Sequence, residues 1–134
     1  MGLFNIFGKK DKKENEFDRL NALCDSAFKE VFSRCRFDFG REIVGLMDLK
    51  SALKGKMGAG QEIAPAQELL ANKMLELLIV YFKTCDTYVS LKKGSGQDES
   101  AAKTLDEMKD KIESIYSLIN KLNSQFYLCS GEVT

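Results

Sequence analysis

One pattern constrains this chain more than any other: an apolar side chain returns every three or four residues between positions 105 and 129. This spacing follows the 3.6-residue turn of an α-helix and lines one helical face for more than three heptads. It predicts a helix over residues 98–128 that packs inside a bundle or along a seam with a second copy. The series is Leu105, Met108, Ile112, Ile115, Ile119, Leu122, Phe126 and Cys129.

Two segments nearer the start of the chain carry helical spacing as well. Apolar residues recur through residues 15–39, and Gly40 is placed to end a helix there, although the alternating Cys35–Phe39 stretch could instead form an extended turn. A shorter helix is predicted over residues 41–54, before glycines that indicate a loop.

The segment over residues 65–92 is the most apolar of the predicted helices. Pro65 suits the first helical position, where no backbone N–H is needed. Two apolar stripes lie side by side along the segment, as expected for a helix in the middle of a bundle. The sequence therefore predicts an all-α, up-down bundle of about four helices, three long and one short, forming one domain over residues 14–134.

The composition removes several classes of function. The chain contains no histidine, so we expect neither histidine catalysis nor a histidine metal site. Lysine plus arginine and aspartate plus glutamate both total 20, and a neutral balance disfavours a dedicated nucleic-acid binder. No catalytic, cofactor-binding or metal-ligating motif is present in the sequence. We therefore expect a non-enzymatic protein without a cofactor.

The cysteines favour structural roles. Cys24, Cys35, Cys85 and Cys129 include no CxxC pair, and three of them fall on predicted apolar stripes. Cys35 lies between Arg34 and Arg36, which would lower the pKa of its thiol if the side chain were exposed. A reactive Cys35 is the enzymatic hypothesis that the sequence leaves open.

Residues 1–13 form a separate amphipathic and basic segment. Its four apolar side chains cover about 160° of a helical wheel, and four lysines follow them. Such a segment can lie in a membrane interface and contact anionic lipid, or dock on a partner or on the bundle itself, or stay without fixed structure. The residues are Leu3, Phe4, Ile6, Phe7, Lys9, Lys10, Lys12 and Lys13. We expect a cytoplasmic protein, in the first case peripheral to the inner face of the membrane.

A second candidate site combines basic and aromatic side chains. Arg34, Arg36 and Arg41 surround Phe37 and Phe39, a mixture that can hold a nucleic-acid backbone and stack on bases. The alternative is that both phenylalanines are core or cap residues beside solvated arginines. A further basic group comprises Lys50, Lys54 and Lys56.

These observations predict a small helical adaptor or accessory protein that acts through protein–protein contacts and is attached to a membrane or a partner by residues 1–13. The alternative function is a nucleic-acid-associated accessory protein that uses Arg34, Arg36 and Arg41. The partner protein is not identified by the sequence. A homodimer through the helix of residues 98–128 is an alternative to a monomeric bundle, with Ile119, Leu122 and Phe126 as its contacts.

Overall fold

The computed structural model describes residues 16–58, 63–95 and 99–128, and every secondary-structure element in these ranges is an α-helix. The helices are α1 (Glu16–Met57), α2 (Pro65–Ser95) and α3 (Glu99–Leu128). The prediction of an all-α protein is confirmed. The described ranges hold three helices and not four, because the predicted helices over 15–39 and 41–54 belong to one helix, α1.

Gly40 does not end a helix, which corrects the predicted boundary. A glycine that ends a helix usually takes the left-handed backbone conformation, and Gly40 does not have the positive φ that this requires. The alternating stretch from Cys35 to Phe39 is also helical and not extended.

Helix α1 is nevertheless not a straight rod. The ammonium Nζ of Lys50 lies 2.8 Å from the side-chain oxygen of Asn21 and 2.9 Å from a carboxylate oxygen of Asp25. In a straight helix, 29 residues would separate the Cα atoms of Asn21 and Lys50 by about 43 Å. The chain must therefore reverse its direction within α1. We place the reversal at residues 35–38, midway along the chain between Lys50 and its partners Asn21 and Asp25, and call these residues the fold-back. Residues 16–34 are then the first arm and residues 39–57 the second arm.

Helix α2 lies between the other two helices. It packs against both α1 and α3, whose Cα atoms do not approach each other within 8 Å in the described residues. The residues of both apolar stripes of α2 are buried or half-buried, and the contacts of α2 on both sides confirm the central position predicted for it. Its fully buried side chains include Ala71, Met74, Leu75, Leu78, Phe82 and Cys85.

Contacts between the helices set their directions. The first arm runs parallel to α2, because Cys24 donates to the carbonyl of Leu75 at 3.2 Å and Phe28 meets the edge of Phe82. Helix α3 runs antiparallel to α2: the amide Nε2 of Gln67 donates to the carbonyl of Phe126 at 3.3 Å, whereas Tyr81, later in α2, lies with its ring centre 6.0 Å from that of Tyr116, earlier in α3. The fold-back therefore lies at the same end of the molecule as the last turns of α2, and we call this end the tip.

Only a narrow stripe of side chains on α3 is buried. Ile112, Ile119 and Phe126 are buried, each one heptad after the last, and Leu122 is half-buried. The far end of α3 therefore packs within the chain, because Ile119 and Phe126 are fully covered by it. Two of the three residues named for the alternative homodimer are thus covered within the chain, and the homodimer itself stays a prediction.

Candidate interaction surface

The three arginines of the basic and aromatic site all lie at or beside the fold-back, but they have different surroundings. Arg34 forms two hydrogen bonds to Asp86 of α2, at 2.8 and 3.2 Å, and this pairing holds the pKa of Arg34 above its ordinary value. The guanidinium of Arg36 lies 5.3 Å from the centre of the Phe37 ring. Arg41 lines a different cleft, between the second arm and α3. The structure does not bring the three together as one nucleic-acid site.

The two phenylalanines beside these arginines differ completely in exposure. Phe39 is buried and meets the ring of Tyr88 edge-on, with the ring centres 5.4 Å apart. Phe37 is 86% exposed, the highest value among the exposed large apolar side chains of the described residues. The core interpretation is correct for Phe39 and wrong for Phe37, because residues two apart on a helix point about 200° apart around its axis.

Phe37 borders a groove that the first arm and α2 form at the tip. We call this groove, of about 490 Å³, the tip groove. Val89 is buried at its base, and the chain beside it supplies both apolar and basic groups. The lining residues are Ser33, Arg34, Phe37, Asp38, Val89, Lys92 and Lys93.

The acidic groups at the tip groove are already engaged. Lys92 lies 3.2 Å from a carboxylate oxygen of Asp38, and Arg34 holds Asp86. Within the described part of the chain, Arg36 and Lys93 are exposed and have no acidic partner. The tip therefore presents positive charge around an exposed aromatic ring.

Sequence reasoning singled out Arg34, Arg36 and Phe37 but missed Val89, Lys92 and Lys93. The pair Lys92–Lys93 was visible as a basic end to the predicted helix over 65–92. Its position beside Phe37 depends on the register between the first arm and α2, and no spacing within one helix reveals that register.

A second concavity lies between the second arm and α3, over the central helix. It has a volume of about 570 Å³, and Tyr81, Phe39 and Ile112 form its apolar base. Its lining carries both signs of charge, with Arg41 and Lys109 beside Asp38, Glu42 and Glu113. Because Asp38 is paired with Lys92, two cations and two carboxylates remain, and the cleft has no clear electrostatic preference for one kind of ligand.

Burial of one side chain in each case contradicts two further predictions, a basic surface around Lys50 and a reactive thiol at Cys35. Lys50 is only 4% exposed and engaged by Asn21 and Asp25, so the basic group of Lys50, Lys54 and Lys56 does not form one surface. Cys35 is fully buried, and burial raises the pKa of its thiol to about 11. A protonated, covered thiol is a poor nucleophile, which removes the basis for a reactive Cys35.

The predicted membrane or partner segment lies outside the described residues. Leu3, Phe4, Ile6, Phe7 and the four lysines that follow precede Glu16, where α1 begins. Glu16 lies at the end of the first arm opposite the tip. None of the described helices is both long and apolar enough to span a bilayer. The described ranges also contain no cluster of three or more cysteine, aspartate or glutamate side chains placed to hold a metal ion.

Comparison with known proteins identifies no relative. No protein-family model, no curated protein and no solved structure matches the chain.

Proposed function

We propose that this protein is a small, non-enzymatic helical adaptor that acts through protein–protein contacts and presents the tip groove to a partner. The observation that carries the proposal is the exposure of Phe37 beside a groove with a buried apolar base. Aromatic and arginine side chains are enriched at protein interfaces, and Phe37 has Arg36 stacked on it. Burial of such a ring against a partner removes a large apolar area from water.

The arrangement of the chain supports an adaptor with two ends. Residues 1–13 join the first arm at Glu16, and the fold-back follows about 28 Å further along the helix axis. If the apolar and basic N-terminal segment attaches to a membrane surface, the tip groove faces away from the attachment point. A single small chain could thus hold a partner near a membrane.

Site-specific crosslinking tests the adaptor proposal. A photo-reactive phenylalanine analogue replaces Phe37 in cells that produce the protein, and adducts are resolved by electrophoresis and mass spectrometry. We expect a discrete adduct that excess unlabelled wild-type chain suppresses and the Phe37→Ala chain does not. The same analogue at Leu69, which is 70% exposed near the opposite end, is the matched control. Absence of a discrete adduct, or the same adduct from both positions, would contradict the proposal.

A further inference from the structure

We propose that the tip groove binds an acidic peptide segment, with an apolar side chain of that segment placed against Phe37 and Val89. This inference rests on the proposed adaptor function and names the chemistry of its partner. The groove volume of about 490 Å³ lies within the range of pockets that hold small ligands, so it has room for one or two side chains.

The charges around the groove indicate the charge of the segment that it would bind. Four basic side chains lie at the tip: Arg34, Arg36, Lys92 and Lys93. The two acidic side chains, Asp38 and Asp86, already neutralise Lys92 and Arg34. The remaining charge is carried by Lys93, which lines the groove, and by Arg36, whose guanidinium lies 5.3 Å from the centre of the Phe37 ring. Acidic groups that flank an apolar side chain would meet both cations, and they would also raise the association rate by electrostatic attraction.

The geometry favours a peptide over a nucleic acid. The guanidinium of Arg34 is committed to Asp86, and Arg41 lines the other cleft. Among the described residues this leaves two cations without an acidic partner here, Lys93 in the groove and Arg36 beside Phe37. Nucleic-acid affinity is dominated by the number of phosphates that are neutralised, and two contacts provide little of it. A groove that combines an apolar base with Lys93 in its lining and Arg36 over the adjacent Phe37 ring instead suits an apolar side chain next to carboxylates.

The test is fluorescence anisotropy with a labelled peptide of about twelve residues that places one phenylalanine and one leucine among glutamates and aspartates. We expect saturable binding by the full chain that weakens as salt rises, because the contacts are partly electrostatic. A peptide with glutamine and asparagine in place of every acid should bind about tenfold more weakly or worse.

Two variants locate the peptide. We expect Phe37→Ala to weaken binding about tenfold, as for the loss of a central aromatic contact. The double variant Arg36→Gln/Lys93→Gln should weaken it about fivefold or more. Leu69→Ala and Lys29→Gln are the matched apolar and basic controls on exposed positions elsewhere, and each should change affinity less than about twofold. Circular dichroism establishes that every variant remains helical.

Three results would overturn the inference: no saturable binding at about millimolar peptide, equal affinity for Phe37→Ala, or equal affinity for the uncharged peptide. Tighter binding of single-stranded DNA or of phosphatidylglycerol vesicles, lost in the same variants, would also overturn it. If the peptide does not bind but the discrete crosslink from position 37 is observed, the adaptor proposal stands and an acidic partner is excluded. Failure of both experiments would exclude the adaptor proposal as well.

Discussion

Lys50 shows how much a single residue can determine in a small helical protein. Its ammonium is buried between the two arms of α1, where it contacts Asn21 and Asp25. Burial of a charge is unfavourable unless the charge is paired and hydrogen-bonded, and all three groups must therefore stay together. The contact thus links the two arms and opposes any slippage of one against the other.

We expect Asp25→Asn to lower the free energy of unfolding by about 1–3 kcal/mol, because it leaves the buried ammonium without its counter-charge. The cost is below that of a fully buried pair, since the Asp25 side chain is 44% exposed. Urea denaturation followed by circular dichroism measures it. Glu76→Gln, the same acid-to-amide change in an exposed pair with Lys73, should cost less than about 0.5 kcal/mol. Equal effects of the two substitutions would show that Lys50 does not depend on Asp25.

The buried thiols lead to a second prediction for single residues. Burial raises the pKa of Cys24 to about 12 and that of Cys35 to about 11, and it raises the pKa of Cys85 as well. All three side chains are fully covered. At neutral pH they are therefore almost entirely protonated thiols, which react poorly with alkylating reagents.

We expect iodoacetamide at neutral pH to modify these three cysteines at least about 100-fold more slowly in the native protein than in urea. A Cys129→Ser background removes the cysteine that lies outside the described residues. Mass spectrometry after proteolysis reports each site separately. Rapid native labelling confined to Cys35 would restore the hypothesis of a reactive thiol there.

The three helices differ in how their surfaces are used. Helix α2 is covered on two sides, whereas α3 contacts the rest of the chain through α2 and buries one side chain per heptad. Two adjacent residues of α3 show the contrast, because Ile119 is fully buried and Leu118 is 42% exposed. The stability supplied by α3 thus depends on a narrow stripe, and its outer surface remains open to solvent.

We expect Ile119→Ala to lower the free energy of unfolding by about 2–4 kcal/mol, because it leaves a cavity between α2 and α3. Leu118→Ala should cost less than about 0.5 kcal/mol, since little buried area is lost. Urea titrations at low and high protein concentration measure both. Similar costs would show that the outer face of α3 is packed, and a concentration-dependent midpoint would reveal the homodimer.

At the level of the whole molecule, the tip and Glu16 lie at opposite ends of the first arm. The tip combines the exposed Phe37 ring with Arg36 and Lys93, which have no acidic partner among the described residues, and residues 1–13 precede Glu16 in the sequence. Four lysines contribute about 1 kcal/mol each at an anionic surface, and shallow apolar side chains add to this. If residues 1–13 bind a membrane, we therefore expect the attachment to be weak and reversible.

We expect the full chain to sediment with phosphatidylglycerol vesicles, less so as salt rises, and a chain lacking residues 2–13 to remain in the supernatant. Phosphatidylcholine vesicles control for the anionic headgroup. A variant with serine at Leu3, Phe4, Ile6 and Phe7 retains the lysines and separates the apolar contribution. Equal sedimentation of the full and truncated chains, or none of either, would exclude the membrane role of this segment.

Helical periodicity was sufficient to predict much of this structure. The all-α class, the central position of the 65–92 helix and the buried face of α3 follow from where apolar side chains recur, because burial of a helical stripe is a local property of the sequence. Cys24 and Cys85 were correctly placed in the core on the same basis.

The candidate surface was only partly predictable, because residue spacing describes one helix at a time and the tip groove is formed by two. Arg36 and Phe37 stand out as neighbours in the sequence, but the placing of Arg34 and Arg41 in different concavities and the proximity of Phe37 to Lys93 arise from packing. The break predicted at Gly40 was misplaced because glycine permits a left-handed conformation without requiring it.

The sequence by itself determined which side chains face inward along each helix, because that pattern depends only on residue spacing. The tertiary structure alone decided that α1 reverses direction, that Lys50 is buried against Asn21 and Asp25, and that Phe37 is left in solvent. These features depend on contacts between residues tens of positions apart. The energies of these contacts depend on how the arms and helices align when they pack together. No local sequence pattern encodes that alignment.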